Sequence, residues 1–280
     1  MNRLFKLFVA TTIAALTIGA CIAVNPTAPA VVATIPEVTI MASEYAFEVP
    51  KAIEAGLVRI KFHDHGQEVH HVQFVRLNDG VTFEQFTAAM QKGEAEAMSL
   101  ITFPGGVALI DPGSNASAVI NLIAGDYVLL CFVPAPDGVP HVVKGMIASF
   151  KVVAGKPNAP EPQADAEVTL LDFSFILPSD IKAGKQIWKV INNGPQLHEI
   201  NLMKLAEGKT LEDVTTWMQK PAGAPPFANV GGYGALDAKT VGWMDLDLTP
   251  GEYVAICHVP DPASGKLHEM LGMVRAFTVQ

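Results

Sequence analysis

Along much of this chain apolar residues recur at every second position. Runs such as Val58 to Phe62, His70 to Leu77, Ser117 to Leu122 and Tyr127 to Phe132 alternate or are β-branched, and Gly, Pro and Asp turns separate them. Successive side chains on an extended backbone point to opposite faces, so this spacing predicts strands. Two short stretches follow another rule. In "TFEQFTAAM" and "TLEDVTTWM" the apolar positions Phe83, Phe86 and Met90, and Leu211, Val214 and Met218, fall at helical spacing. Each stretch opens on a threonine, Thr82 or Thr210, followed three residues later by Gln85 or Asp213. This is the pattern in which two side chains cap a helix start reciprocally. One short helix in each half of the chain is predicted, with its apolar stripe on the core.

The pattern occurs twice. "EVTIMASEYAFEVPKAIEAGLVRIKF" and "EVTLLDFSFILPSDIKAGKQIWKV" place Phe47, Pro50 and Gly56 over Phe175, Pro178 and Gly184 without a gap. "GQEVHHVQFVRL" then lies over "GPQLHEINLMKL", pairing Gly66 with Gly194 and His70 with His198. Gly105-Gly106 pairs with Gly231-Gly232, and the spacing from there to Cys131 and Cys257 is the same. A self-similarity of this length marks a duplicated structural unit. The predicted organisation is a leader over 1–20, a Pro/Ala/Thr spacer over 21–36, a first domain over 37–154, a second linker over 155–166 and a second domain over 167–280. The glycine-rich "GGYGAL" precedes a strand with no helix after it, and reads as a turn.

Composition narrows the class. Half of the residues are hydrophobic and 17% are charged, as in a globular protein. Net charge is -9, and Arg3 and Lys6 lie in the leader, so the remainder is more acidic still. That balance argues against nucleic acid and favours a basic protein partner. "MNRLFKLFVATTIAALTIGAC" puts two bases ahead of an apolar run ending in small residues, the form of a secretory signal. Its end, Ile18-Gly19-Ala20-Cys21, resembles the bacterial lipobox. That resemblance implies acylation of Cys21, a membrane tether and an extracytoplasmic location, periplasm or cell surface. Ordinary cleavage would instead release a soluble exported protein.

Two cysteines remain, and each heads a similar phrase: "CFVPAPDGVPHVVKGM" and "CHVPDPASGKLHEMLGM". Each half carries an inward histidine at the head of a strand, a cysteine at the end of a later strand, then histidine and methionine in the loop that follows. The sets are His70, Cys131, His141, Met146 and His198, Cys257, His268, Met273. Two imidazoles, a thiolate and a weak thioether suit a type 1 copper ion, one per domain. Zinc would also accept Cys and His, with the thioether a poor fourth ligand. Inert buried thiols, or a disulfide between Cys131 and Cys257, are the plainer readings.

Both halves resemble cupredoxin domains, the blue copper fold of plastocyanin and azurin. The resemblance rests on a strand-borne histidine after "HDHGQEV" or "NNGPQL" and on the Cys…His…Met loop. It implies an all-β protein of two tandem Greek-key β-sandwiches, each with one short helix inserted, acting in electron transfer. The Cys-to-His stretches are longer than in the small blue copper proteins and are expected to turn at Pro134–Gly138 and at Pro260-Asp261-Pro262. Where the family carries an Asn beside the first ligand, this chain has His71 and Glu199, expected to tie the ligand loops together. Multicopper oxidases and copper nitrite reductases also contain such repeats. His63, His65, His71 and His258 are left over for a second copper centre, too few for a trinuclear cluster. Copper storage or delivery is a third reading. No G-x-S-x-G, H-E-x-x-H or phosphate-loop motif points to other chemistry.

Overall fold

The computed structural model of the chain describes residues 34–155 and 159–280. The leader and Cys21 lie outside them. In the first half the strands are β1 (Glu37–Ser43), β2 (Ala46–Glu48), β3 (Ala52–Glu54), β4 (Gly56–Asp64) and β5 (His70–Leu77). Helices α1 (Phe83–Lys92) and α2 (Glu94–Met98) follow, then β6 (Ile101–Ile110), β7 (Asn115–Leu122), β8 (Gly125–Leu130) and β9 (Ile147–Val153). The second half runs β10 (Ala166–Leu171), β11 (Ser174–Ile176), β12 (Gly184–Asn192), β13 (His198–Leu205), α3 (Leu211–Gln219), β14 (Phe227–Leu236), β15 (Val241–Leu248), β16 (Gly251–Ile256) and β17 (Val274–Val279). It is all-β, as the resemblance implied.

The helix starts form as their sequences predict: Thr82 with Gln85, and Thr210 with Asp213, make reciprocal capping boxes. Phe86 and Val214 are buried on the core side. The first half departs from one helix per half, because Gly93, at φ 150°, breaks the run and a second short helix begins at Glu94.

The strands form two sheets that both halves share. One has the order β11-β10-β12-β15-β7-β4-β1-β2 and the other β17-β16-β13-β14-β6-β5-β8-β9-β3. The halves therefore join edge to edge twice, through β6 with β14 and β7 with β15. Both junctions are antiparallel, and at the centre of each a residue meets its own counterpart: Val107 pairs with Tyr233, and Ala118 with Met244. An approximate two-fold axis relates the halves, as in an isologous dimer interface. Each joint also removes two open strand edges.

This junction overturns the reading of "GGYGAL" as a turn. These residues lie inside β14. Glycine is required there because two backbones and a tyrosine converge. A Cβ on Gly232 would overlap the Ile200 carbonyl oxygen, one on Gly106 would overlap that of Val72, and one on Gly105 or Gly242 would run into the Tyr233 ring. Side chains stitch the same seam. Gln73 donates to the carbonyls of Gly105 and Ala235, both at 2.9 Å, and accepts from Ala235 N–H at 2.8 Å. Its counterpart Asn201 accepts from Leu109 N–H at 3.1 Å. Arg59 grips Asp245 through two nitrogens at 2.7 and 3.2 Å, and Ser117 donates to the same carboxylate. In consequence β5 and β13 are buried on both faces for most of their length, with His71, Gln73, Glu199 and Asn201 all covered.

Candidate metal centres

The first histidine of each set sits where a tight turn meets a strand. Asp64 accepts from Gly66 N–H at 2.8 Å, Asn192 accepts from Gly194 N–H at 3.0 Å, and β5 and β13 then open on His70 and His198. Gly66 and Gly194 carry no Cβ for a local reason. A methyl group there would press on the imidazole Nε2 of His70 or His198 and on the carboxylate beside it, Glu44 or Asp172.

The cysteines follow β8 and β16, and the long loops after them fold back as small hairpins bridged at Pro134–Pro140 and Pro260–Leu267. The extra residues project as turns, as their Pro/Gly/Asp content predicts. The second histidines are thereby returned to their cysteines. His141 N–H bonds to Val133 and Val142 N–H to Cys131, both at 2.8 Å; His268 N–H bonds to Val259 at 2.9 Å and Glu269 N–H to Cys257 at 3.0 Å. Met146 and Met273 follow, each donating its N–H to the carbonyl of the preceding loop histidine at 2.9 Å. Both methionines are fully buried. The glycine before each, Gly145 at φ 105° and Gly272 at φ 111°, takes a left-handed turn that a Cβ would resist.

Three donors converge in each half. Cys131 Sγ lies 3.5 Å from His141 Nδ1 and 3.9 Å from His70 Nδ1, and the two nitrogens are 3.1 Å apart. Cys257 Sγ lies 3.5 Å from His268 Nδ1, which is 3.1 Å from His198 Nδ1. All six side chains are buried. The cysteines are free, so the disulfide reading is not realised. Metal–nitrogen bonds of about 2.0–2.1 Å and a metal–sulfur bond of about 2.3 Å would space such donors by about 3.4–3.8 Å. The observed triangles are close to that size.

Proton placement strengthens the fit. In the second half His198 Nε2 faces Asp172 Oδ1 at 2.7 Å and His268 Nε2 faces Gln196 Oε1 at 3.3 Å. Both Nε2 atoms face acceptors and so carry protons, which leaves two bare Nδ1 lone pairs directed at each other. Making either ring cationic would relieve the clash, but burial pushes the pKa of both His198 and His268 down. Two such lone pairs would be satisfied by donating to a shared metal cation. In the first half His141 Nε2 faces Glu68 Oε2 at 2.8 Å, and His70 Nε2 faces Glu44 Oε1 at 3.5 Å and Asp64 Oδ1 at 3.9 Å. Burial pushes the Cys131 thiol up to about 12 and the Cys257 thiol higher still. Without a cation the sulfurs hold their protons.

His71 and Glu199 do the tying expected of them. His71 Nε2 accepts from Phe132 N–H at 2.7 Å, and Glu199 Oε1 from His258 N–H at 2.9 Å. Each lies at a β-bulge of its strand, where pairing shifts beside the site. Burial takes the His71 pKa down to about 3 and raises that of Glu199. Burial opposes charge on His258 too, yet Glu269 at 3.4 Å and Glu199 outweigh it and raise its pKa. His63 and His65 lie apart from both triangles, their ring centroids 6.3 Å from each other. Among the described residues no third cluster of metal-binding type forms.

Sequence reasoning missed Glu44, Asp64 and Glu68 and their counterparts Asp172, Asn192 and Gln196. The one available signal was that each pair keeps the offset separating His70 from His198.

A two-sheet β-sandwich with a His–Cys–His triangle at equivalent strand ends in each half is cupredoxin-like. Neither a family model nor a curated sequence matches the chain. Similar solved structures include a multicopper oxidase at 17% identity and TM-score 0.26, covering 87% of this chain and 88% of that one. A copper nitrite reductase from Nitrosomonas europaea aligns at 13% identity and TM-score 0.26, covering 88% of this chain and 94% of that one. Auracyanin from Roseiflexus castenholzii aligns at 19% identity and TM-score 0.30, covering 43% of this chain and 99% of that one.

Proposed function

We propose that this chain is an exported two-site type 1 copper protein that carries single electrons between proteins. The carrying observation is the pair of buried His–Cys–His triangles, in each of which two imidazole Nδ1 atoms face one another at 3.1 Å. His70, Cys131 and His141 would hold one copper, and His198, Cys257 and His268 a second, with the thioethers of Met146 and Met273 as weak further donors. Bound copper supplies a one-electron couple. The chain supplies donors fixed by two strand ends and a hydrogen-bonded loop, so that gain or loss of an electron asks for little rearrangement. Full burial of the triangles would exclude water from a bound metal.

A carrier is favoured over an enzyme because two of the spare histidines are engaged elsewhere, His71 by Phe132 and His258 by Glu269. The acidic surface suits a basic redox partner, with association slowed by salt. Acylation at Cys21 would hold the protein at a membrane outside the cytoplasm.

The test is Cu(II) loading of the purified protein. One copper per half and an intense visible thiolate-to-copper band are expected, with Cys131→Ser and Cys257→Ser each removing one copper. Absence of the band, with copper uptake indifferent to both substitutions, sinks the reading. Additional copper accompanied by oxidase or nitrite reductase turnover would favour the enzyme instead.

A further inference from the structure

The environments of the two triangles differ at the loop histidine. Around the first, His141 Nε2 meets the carboxylate of Glu68 at 2.8 Å, Tyr45 OH donates to the same carboxylate at 3.2 Å, and Asp64 stands 3.9 Å from His70. Around the second, the equivalent positions are Gln196, Phe173 and Asn192, so each carboxyl has become the amide of matching shape. The packing is otherwise kept. Tyr45 lies 4.9 Å from the His141 ring and Phe173 5.0 Å from the His268 ring, centroid to centroid. His268 Nε2 faces the amide oxygen of Gln196 at 3.3 Å. An acid stands beside the first histidine in both halves, but Asp172 bonds His198 Nε2 at 2.7 Å whereas Glu44 lies 3.5 Å from His70 Nε2.

We propose that Glu68 and Gln196 set the two sites to different reduction potentials, the first half lower and the second higher. A carboxylate accepting the Nε2 proton makes the imidazole a stronger donor and adds negative charge near the metal, and both effects favour the more positive oxidation state. A neutral amide does neither to the same extent. On the sulfur side the contrast is smaller and opposed: Glu199 and Glu269 lie near Cys257 with His258 between them, whereas His71 and Val142 stand at those positions in the first half. Each triangle has one carboxylate bonded directly to a ligand imidazole, Glu68 on His141 and Asp172 on His198, so the order is set by the remaining acids on the histidine side: Glu44 and Asp64 in the first half, and in the second Asp261, held behind the neutral Gln196. An electron delivered to the oxidised protein therefore settles in the second half, and the first half is the readier donor. No proton or atom changes hands. Glu68 and Gln196 are positioning residues, acting through His141 and His268.

This inference rests on the copper reading, and the experiment separates the two. Spectroelectrochemical titration of copper-loaded Cys257→Ser reports the first site alone, and of Cys131→Ser the second alone. The first site is expected to titrate at the lower potential. Glu68→Gln should raise the reduced-to-oxidised ratio of the first site at fixed ambient potential by about tenfold, and Gln196→Glu should lower that of the second by a similar factor. Each is a shift of about 59 mV for a one-electron couple. Equal potentials, the reverse order, or a Glu68→Gln site titrating as before would overturn the inference while leaving the copper reading intact. A protein that binds no copper through its cysteines overturns both. The reciprocal variant guards against misfolding of the first, since both keep the size of the side chain.

Discussion

Replacing His71 by glutamine should flatten the acid limb of stability in the metal-free protein. The His71 ring is buried and accepts from Phe132 N–H at 2.7 Å, which holds it neutral with its pKa near 3. In the unfolded chain a histidine titrates near about 6.5. Between those values the unfolded state binds one more proton than the native state. Stability therefore falls as pH falls, by about 1.4 kcal/mol per pH unit. From neutrality to about pH 5 the loss assigned to His71 is about 2 kcal/mol. The glutamine side chain would keep an acceptor of suitable reach, as Glu199, of the same length, shows at the equivalent place in the second half, and it does not titrate. Urea unfolding of both metal-free proteins at the two pH values isolates the effect, because the other titrating groups cancel in the difference. The His71→Gln variant should lose about 2 kcal/mol less than the parent over this interval. Equal losses would show that His71 is not held neutral by the fold, and would remove its assignment as the loop tie.

Glu199→Gln should leave the second half as stable or more stable at neutral pH, because a buried carboxyl with a raised pKa favours folding at low pH and loses that advantage as pH rises through it; pH-dependent thermal melts check the sign. Gln73→Leu should cost about 2–4 kcal/mol, since buried Ala235 N–H and the Gly105 and Ala235 carbonyls lose a partner at the seam between halves; denaturant unfolding measures it, and a change under about 0.5 kcal/mol would contradict the seam's importance. Gly106→Ala should destabilise by about 1–3 kcal/mol, because the added methyl group meets the Val72 carbonyl oxygen rather than a movable side chain; the same unfolding assay reads it. Copper uptake should release about one proton per site, displaced from thiols that burial keeps protonated; a pH-stat titration with no acid release would contradict metal–thiolate bonding.

What could be read in advance follows from the range of the interactions involved. The Thr82–Gln85 and Thr210–Asp213 caps are local, and both formed. Period-two spacing correctly turned His70 and His198 inward, because face selection depends only on neighbouring residues. The Cys…His…Met order was legible because the loop and β-strand ends bring together donors that already lie close in the chain. The seam was not legible. Alternation shows that His71 and Gln73 point away from His70, but not that the other half of the chain covers them. Gly231 and Gly232 resembled turn residues because the Ile200 carbonyl and the Ala116 and Ala108 side chains that crowd them lie far away in sequence. Glu68 and Gln196 were hidden for a similar reason: each becomes notable only once a histidine from about seventy residues downstream arrives beside it.

The most direct measurement is X-ray absorption at the copper edge of the fully loaded protein. The account predicts, at each copper, one sulfur neighbour at thiolate bonding distance and two imidazole nitrogens, with the sulfur shell halved per chain in Cys131→Ser and in Cys257→Ser. A first shell of nitrogen and oxygen alone, unchanged by either substitution, would contradict it.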